Sequence, residues 1–227
     1  MKAAALLIVV IAGVATLTGC APRPASPPPL SSPPVTAPST TPEAELVPKR
    51  VVITATDVQL FGDDGALATT FSYFDATASA VAALTEQFGA DPVITTTPGS
   101  CCHEFPATHY TWGGFLLYDS EMLVVQPHSP EFTIRVTSAM VAGVTIETVD
   151  GITVGYSSAA VEASQPGTAI RGTSSSGDYE LFEVAGVNFG SEPESGTGDL
   201  IISVTLTSDH PDGTIATIYA PSSNQGD

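Results

Sequence analysis

The chain has 227 residues, of which 24 are acidic and 6 are basic, so its formal net charge is −18. Binding of nucleic acid requires Lys or Arg side chains that replace counterions at the phosphates, and this charge argues against nucleic acid as a partner. Both lysines, Lys2 and Lys49, precede the region that has the composition of a folded domain. The composition therefore also excludes catalysis by a lysine of that domain.

The first 20 residues have the pattern of a secretory signal. Lys2 is followed by the apolar run Ala3–Leu17, which is short for a membrane-spanning helix and leads into small residues. The sequence Leu17-Thr18-Gly19-Cys20 resembles the lipobox of bacterial lipoproteins. The resemblance implies a signal peptide over residues 1–19, cleavage before Cys20 and a diacylglycerol on the Cys20 sulfur. Two or more acyl chains hold a protein stably at a membrane.

Residues 20–50 are predicted to form a disordered tether between the lipidated cysteine and the domain. Ten of the 19 prolines lie between Ala21 and Pro48, mixed with Ser, Thr and Ala. Such a segment cannot bury enough apolar surface to fold, and proline keeps it extended, with a reach of roughly 80–90 Å. Signal, lipobox and tether together are typical of an actinobacterial cell. They predict a lipoprotein at the outer face of the cell membrane, with an envelope protein or a cell-wall polymer as its partner.

Beyond the tether, Val, Ile and Thr alternate with turn residues, which predicts one compact domain over residues 51–221 and a disordered tail over 222–227. Two segments rich in Gly and Ser, 167–177 and 188–198, are predicted to be loops. The predicted strands are, in chain order, 51–60, 66–73, 93–97, 109–118, 122–126, 131–137, 144–149, 179–187, 200–207 and 214–220.

Two short helices are predicted among these strands. The first is capped by Asp75 or Thr77 and ends at Gly89, which is favoured after the last turn of a helix. Its narrow apolar stripe consists of Val81, Leu84 and Phe88. The second helix spans residues 158–164. Helices among antiparallel strands predict an α+β domain.

A helix followed by antiparallel strands occurs twice, near residues 75–137 and 152–220, which predicts two tandem helix-plus-sheet repeats. Residues 151–163, Gly-Ile-Thr-Val-Gly-Tyr-Ser-Ser-Ala-Ala-Val-Glu-Ala, resemble the opening of a repeat found in beta-lactamase-inhibitor-like proteins and small outer-membrane assembly lipoproteins. The resemblance implies a concave sheet that binds proteins, with no enzymatic activity. No cofactor is predicted.

Adjacent cysteines make the segment from Cys101 to Glu104 the most unusual part of the chain. With Cys20 lipidated, Cys101 and Cys102 are the remaining thiols, and an oxidising exterior favours a disulfide between them. Neighbouring Cα atoms lie closer together than in ordinary disulfides, so that bond is strained. This disulfide either stiffens a loop or acts as a redox-sensitive latch. A third interpretation joins both thiols to His103 and His109 in a zinc or copper site.

Aromatic residues surround two glycines in the segment from Tyr110 to Tyr118. Glycine inside a strand often marks a bulge or a close approach. Tyr110, Trp112 and Phe115 are candidate anchors for an interface. The competing interpretation is a bulged core strand. Alternation along one continuous strand predicts that Trp112 and Phe115 lie on opposite faces.

The remaining polar motifs are ambiguous. Asp63-Asp64 and Asp209–Asp212 suit either a loose calcium site or ordinary turns. The segment Gly155-Tyr-Ser157-Ser-Ala159 has an alanine where the nucleophile elbow of hydrolases has its second glycine. The sequence thus predicts a non-enzymatic binding domain at the cell envelope. Its alternatives are a metal- or small-molecule-binding lipoprotein and an extracytoplasmic hydrolase whose site is visible only in three dimensions.

Overall fold

A computed structural model describes residues 49–99, 105–120, 129–174, 177–191, 199–208 and 213–223, which all belong to one compact unit. The predicted strand 122–126 lies outside the described residues. The elements are β1 (Arg50–Ile53), β2 (Asp57–Phe61), β3 (Leu67–Ser72), α1 (Thr77–Phe88), β4 (Val93–Thr97), β5 (Ala107–Trp112), β6 (Phe115–Ser120), β7 (Phe132–Val136), β8 (Met140–Val141), β9 (Val144–Thr148), α2 (Ser158–Ser164), β10 (Ala169–Ser174), β11 (Gly177–Ser191), β12 (Asp199–Ser208) and β13 (Ile215–Ser223).

The smaller sheet has five strands in the order β3-β2-β1-β9-β8. β1 pairs antiparallel with β2 and parallel with β9. The prediction of one strand over residues 51–60 is wrong, because the chain turns between β1 and β2. Thr54 Oγ1 accepts hydrogen bonds from the backbone N–H groups of Thr56 at 3.1 Å and Asp57 at 3.0 Å. Such local side-chain bonds compete with an extended ladder and favour a turn.

The larger sheet has eight strands in the order β10-β11-β12-β13-β7-β6-β5-β4. α1 precedes the four consecutive strands β4 to β7, and α2 precedes β10 to β13. Each set of four is antiparallel, and the two sets meet where β7 pairs with β13. The predicted α+β domain with two tandem helix-plus-sheet units is therefore confirmed. We call them the first half and the second half.

A hairpin replaces the predicted strand 109–118 and its bulge. β5 and β6 are joined by Gly113 and Gly114 alone, and Gly113 has a φ of 58°. A Cβ atom on Gly114 would collide with Ser138, so both glycines are required by the turn and its neighbour. The turn pairs Trp112 directly with Phe115, which places both side chains on one face rather than on opposite faces.

The predicted loop 167–177 is also wrong, because Ala169–Ser174 forms β10 and pairs along its whole length with β11. Composition favoured a loop, but pairing with a neighbouring strand outweighs the weak strand preference of Gly and Ser. β11 likewise continues through residues 188–191 of the second predicted loop. The rest of that loop, 192–198, lies outside the described residues.

The domain extends slightly beyond its predicted bounds at both ends. Arg50, assigned to the tether, lies in β1, and its Nη1 atom is 3.0 Å from Oε1 of Glu147 on β9. β13 runs to Ser223 and pairs with β12 to its end, so the predicted tail 222–227 begins too early. Pairing with a neighbouring strand orders residues whose composition alone favours fraying.

α1 ends as predicted and begins differently. Gly89 adopts the left-handed conformation with a φ of 65°, and its N–H donates to the Thr85 carbonyl. Neither predicted cap holds the N-terminus: Ala76 is the N-cap residue without a side-chain hydrogen bond, and the Asp75 carboxylate instead accepts from the Ser72 N–H. Gln87 Nε2 fixes the last turn by donating to carbonyls in β1 and β2.

One hydrophobic core contains residues of both sheets and both helices, so it lies between them. Leu84 and Phe88 of the predicted helical stripe are buried there, whereas Val81 is only half-buried. A group of three aromatic rings joins α1 to the β5–β6 hairpin, where the ring centroids of Phe88 and Phe115 are 5.5 Å apart. The core therefore covers one face of the eight-stranded sheet.

Candidate functional site

The other face of the eight-stranded sheet carries exposed or half-buried side chains. Directly paired residues share a face, and successive residues alternate between faces. Core residues such as Trp112, Phe182 and Ile218 therefore define which of their neighbours point outward. We define the open face as thirteen outward residues on the six strands that lie between the edge strands β10 and β4: His109, Thr111, Leu116, Tyr118, Thr133, Arg135, Tyr179, Leu181, Glu183, Thr205, Thr207, Thr217 and Tyr219.

A continuous row of this open face crosses the boundary between the two halves. Leu116 pairs with Arg135, Arg135 with Tyr219, Tyr219 with Thr205, and Thr205 with Glu183. The row passes over β6, β7, β13, β12 and β11, and so it unites residues that are distant in sequence. Its midpoint lies at the junction of β7 and β13, which no single segment of the chain contains.

The open face has few charges for a chain with a net charge of −18. Within this set Arg135 is the only Lys or Arg residue, and Glu183 is the only Asp or Glu residue. Hydroxyl groups dominate, and Tyr219 Oη lies 3.4 Å from Thr133 Oγ1. The centres of protein interfaces are depleted in charged residues and enriched in Tyr and Arg. Chemically, the face is suited to contact with another macromolecule.

His109 lies on this face next to Tyr118. Their ring centroids are 5.0 Å apart in an edge-to-face arrangement. The Nε2 atom of His109 is buried and has no hydrogen-bond partner among the described residues. An unpaired buried nitrogen is costly, so this atom is a candidate ligand. The other proposed members of the metal site, Cys101, Cys102 and His103, lie outside the described residues, as does Cys20.

The three aromatic interface candidates lie on the core side of β5 and β6. Trp112 and Phe115 are buried, and Tyr110 is half-buried against the core. The Trp112 indole N–H donates to the Ala90 carbonyl at 2.9 Å. Trp112 and Phe115 are therefore core residues rather than exposed anchors, because the hairpin turns both inward.

The acidic turn at Asp63-Asp64 has a structural role: Asp64 Oδ1 accepts a hydrogen bond from the Ala66 N–H at 2.9 Å. The second calcium candidate, Asp209–Asp212, lies outside the described residues. Among the residues that are described, no group of three metal-binding side chains is close enough to hold an ion.

The second half contains a buried carboxylate that no sequence motif indicated. Only 1% of the Glu180 side chain is exposed, and its Oε1 lies 2.6 Å from Nη2 of Arg171. This contact is electrostatic, since neither carboxylate oxygen of Glu180 accepts a well-directed hydrogen bond. Arg171 also binds the exposed Glu162, at 2.7 Å. Strand alternation was the available signal, because Glu180 has the same parity as the core residues Phe182 and Val184.

Glu162 and Arg171 shift each other's pKa. A hydrogen bond from Arg171 lowers the pKa of Glu162, and the same bond raises the pKa of Arg171.

A second perturbed group lies next to the five-stranded sheet. Burial and the nearby Asp57 raise the pKa of Tyr73 well above its ordinary value of 10.0. Tyr73 Oη donates to the Thr54 carbonyl at 3.2 Å. These contacts stabilise the fold and lie away from the open face.

No known protein family, curated protein or solved structure matches the chain. Neither α1 nor α2 has the length and apolar character of a membrane-spanning helix, and these are the helices of the described residues.

Proposed function

We propose that the protein is a lipoprotein, anchored through Cys20 to the outer face of the cell membrane, whose domain binds an envelope protein. The observation that carries the binding function is the open face, a surface rich in Tyr and Thr and poor in charge. Its central row crosses both halves. A binding role requires no catalytic group, and the residues of the open face suit contact rather than chemistry.

The distribution of tyrosines over the open face favours a protein partner over a cell-wall polymer. Tyr118, Tyr179 and Tyr219 are spread over β6, β11 and β13, so they are distributed across five neighbouring strands of the sheet. Sugar-binding and small-molecule sites are usually concave and enclosed, whereas protein interfaces occupy about 800 Å² on each partner. A tether as extended as its proline content predicts would let this face reach partners far from the membrane.

Site-specific photo-crosslinking in the full-length chain tests this function. A photo-reactive amino acid is placed at Thr217 on the open face, or at the exposed Thr70 on β3 as the matched control. We expect a discrete protein adduct from position 217 and none from position 70. Adding Thr205→Lys to the crosslinking variant should remove the adduct, because it places a long charged side chain opposite Glu183 and so changes both the shape and the charge at the centre of the face.

Equal adducts from positions 217 and 70, or persistence of the adduct with Thr205→Lys, would contradict a binding role for the open face. A cell-wall fragment instead of a protein in the adduct would replace the protein partner by a polymer. Turnover of a substrate that survives every open-face substitution would favour an enzyme instead.

The anchor is tested separately. Cells are fed a clickable fatty acid, and the protein is examined for label and for membrane association. We expect the native chain to be labelled and Cys20→Ala to be unlabelled and released from the membrane. Label that persists in Cys20→Ala would contradict lipidation at this residue.

The second candidate function is metal binding, because the buried Nε2 atom of His109 has no partner among the described residues. Cys101, Cys102 and His103 would supply the other ligands. Equilibrium dialysis against zinc and copper should show one bound ion in the native chain, with loss of binding in both Cys102→Ser and His109→Gln. Binding that survives His109→Gln would remove His109 from the site.

A further inference from the structure

An open pocket of about 360 Å³ lies between α1 and the β5–β6 hairpin of the first half and β8 of the five-stranded sheet. Phe88, Trp112 and Val141 belong to its lining, and all three are largely buried. Val93 and Met140 also line it, although 67% and 56% of their surfaces are exposed. Pockets of this volume can hold a small ligand, and their apolar walls provide most of the contact area.

The pocket contains one charge. Asp91 is the only ionisable side chain that lines it, and no Lys, Arg or His does. Among the described residues, the Asp91 carboxylate has no ion pair and no hydrogen bond. The Trp112 indole N–H is already committed to the Ala90 carbonyl, so it is not available to an anion. An apolar wall beside one unpaired carboxylate favours a ligand that is apolar and positively charged.

Two further properties favour a cation over an anion or a neutral ligand. The chain carries a net charge of −18, so its long-range field attracts cations and repels anions. Aromatic rings, Trp above all, attract ammonium groups by their negative faces. In this pocket Trp112, which is 4% exposed, and the exposed Asp91 both belong to the lining.

We propose that this pocket binds a small organic cation, an alkyl- or aryl-ammonium compound whose charged group pairs with Asp91 and whose apolar part contacts Phe88, Trp112 and Met140. The site shares only Thr111 with the open face as defined above, and it does not depend on the proposed interaction with an envelope protein. The apolar contacts contribute most of the affinity, and the Asp91 carboxylate favours a positively charged ligand over a neutral or negatively charged one.

The pocket contains its own reporter, because Trp112 is the only tryptophan in the chain. The test is a titration of tryptophan fluorescence in the full chain with three compounds of similar size: 2-phenylethylammonium, 2-phenylethanol and phenylacetate. We expect saturable binding of the ammonium compound, at least about tenfold tighter than that of the neutral alcohol. Phenylacetate should bind more weakly still. Added salt should weaken only the ammonium compound.

Asp91→Asn should lower the affinity for 2-phenylethylammonium by roughly tenfold and leave that for 2-phenylethanol unchanged. Asp63→Asn is the matched control, since it removes the same charge from a turn that does not line the pocket. Unfolding curves of both variants establish that each is folded. Similar affinities for all three compounds, an absence of saturable binding, or equal effects of Asp91→Asn and Asp63→Asn would overturn the proposal.

Discussion

The two halves attach a helix to four antiparallel strands in different ways. In the first half, α1 has 12 residues and buries Leu84 and Phe88 against an aromatic cluster with Trp112 and Phe115. In the second half, α2 has 7 residues, and only Ser158 and Val161 are buried. Charged contacts from Arg171 to Glu162 and Glu180 link that short helix to its strands.

The difference shows that the same architecture can be stabilised either by burial of apolar side chains or by ion pairs. Burial of apolar surface is non-directional and increases with area, so a long helix with large side chains gains most from it. A helix of two turns covers little area, and directed contacts become more important there. We therefore expect substitutions in the first half to have larger effects on stability.

The largest effect is expected for Phe115→Ala, because Phe115 is fully buried between Phe88 and Trp112. Removal of a buried Phe ring costs about 4 kcal/mol, which chemical denaturation measures as a loss of free energy of unfolding. Phe105→Ala is the matched control: 37% of its surface is exposed, and it should cost less than about 0.5 kcal/mol. Equal losses for the two variants would contradict the aromatic cluster as the centre of the first half.

The helices are compared directly by Leu84→Ala in α1 and Val161→Ala in α2, both fully buried. We expect losses of about 3 kcal/mol for Leu84→Ala and about 1.5 kcal/mol for Val161→Ala, because less apolar volume is removed from the second site. The same denaturation measurement applies. A larger loss for Val161→Ala would mean that the second half depends as strongly on apolar packing as the first.

Tyr73→Phe tests a buried hydroxyl at the small sheet and should cost about 1 kcal/mol at pH 7, since the hydrogen bond to Thr54 is lost. Because the pKa of Tyr73 is raised in the folded state, the contribution of Tyr73 to stability should be constant below about pH 10 and fall as the pH rises further. The variant should lack this alkaline loss.

Unfolding measured at pH 7 and above pH 10 decides this prediction, with Tyr156→Phe, at an exposed tyrosine, as control. The stability of native chain and Tyr73→Phe should converge at the higher pH. Parallel curves would show that Tyr73 does not titrate with folding.

The smallest effect is expected for Glu162→Gln, which removes the exposed partner of Arg171. Exposed ion pairs contribute little and are screened by salt. Because the pKa of Glu162 is lowered in the folded state, the pair stabilises above its ordinary value of 4.5 and is lost as the pH falls below it. The melting temperature should fall slightly at pH 7 in low salt and match the native chain at pH 3. A large fall that persists in high salt would give this pair a structural role like that of a buried contact.

Many elements could be predicted because their signals are local. The strand at 93–97 and the helix at 158–164 were predicted with their observed bounds, and Gly89 was predicted to end α1. β10 and the end of β13 could not be predicted, since Gly- and Ser-rich segments become strands only when a neighbouring strand supplies hydrogen bonds. The hairpin at Gly113-Gly114 was missed because two glycines suit a bulge and a turn equally well.

The site was less predictable than the fold. Trp112 and Phe115 were candidate anchors because aromatic residues are common in interfaces, but aromatic residues are also common in cores, and only the hairpin decides between them. The open face has no motif in the sequence, because its residues come from six strands of both halves.

The sequence by itself determined the acidic charge, the lipobox pattern at Cys20, the proline-rich segment and the repeated order of a helix and antiparallel strands. These are properties of composition and local spacing. Tertiary structure alone decided that β7 meets β13, that Trp112 and Phe115 share the buried face, that Glu180 is buried beside Arg171, and that Asp91 lies at an apolar pocket. Each of these facts depends on which strands pair and in which register, and pairing between distant segments leaves no local pattern.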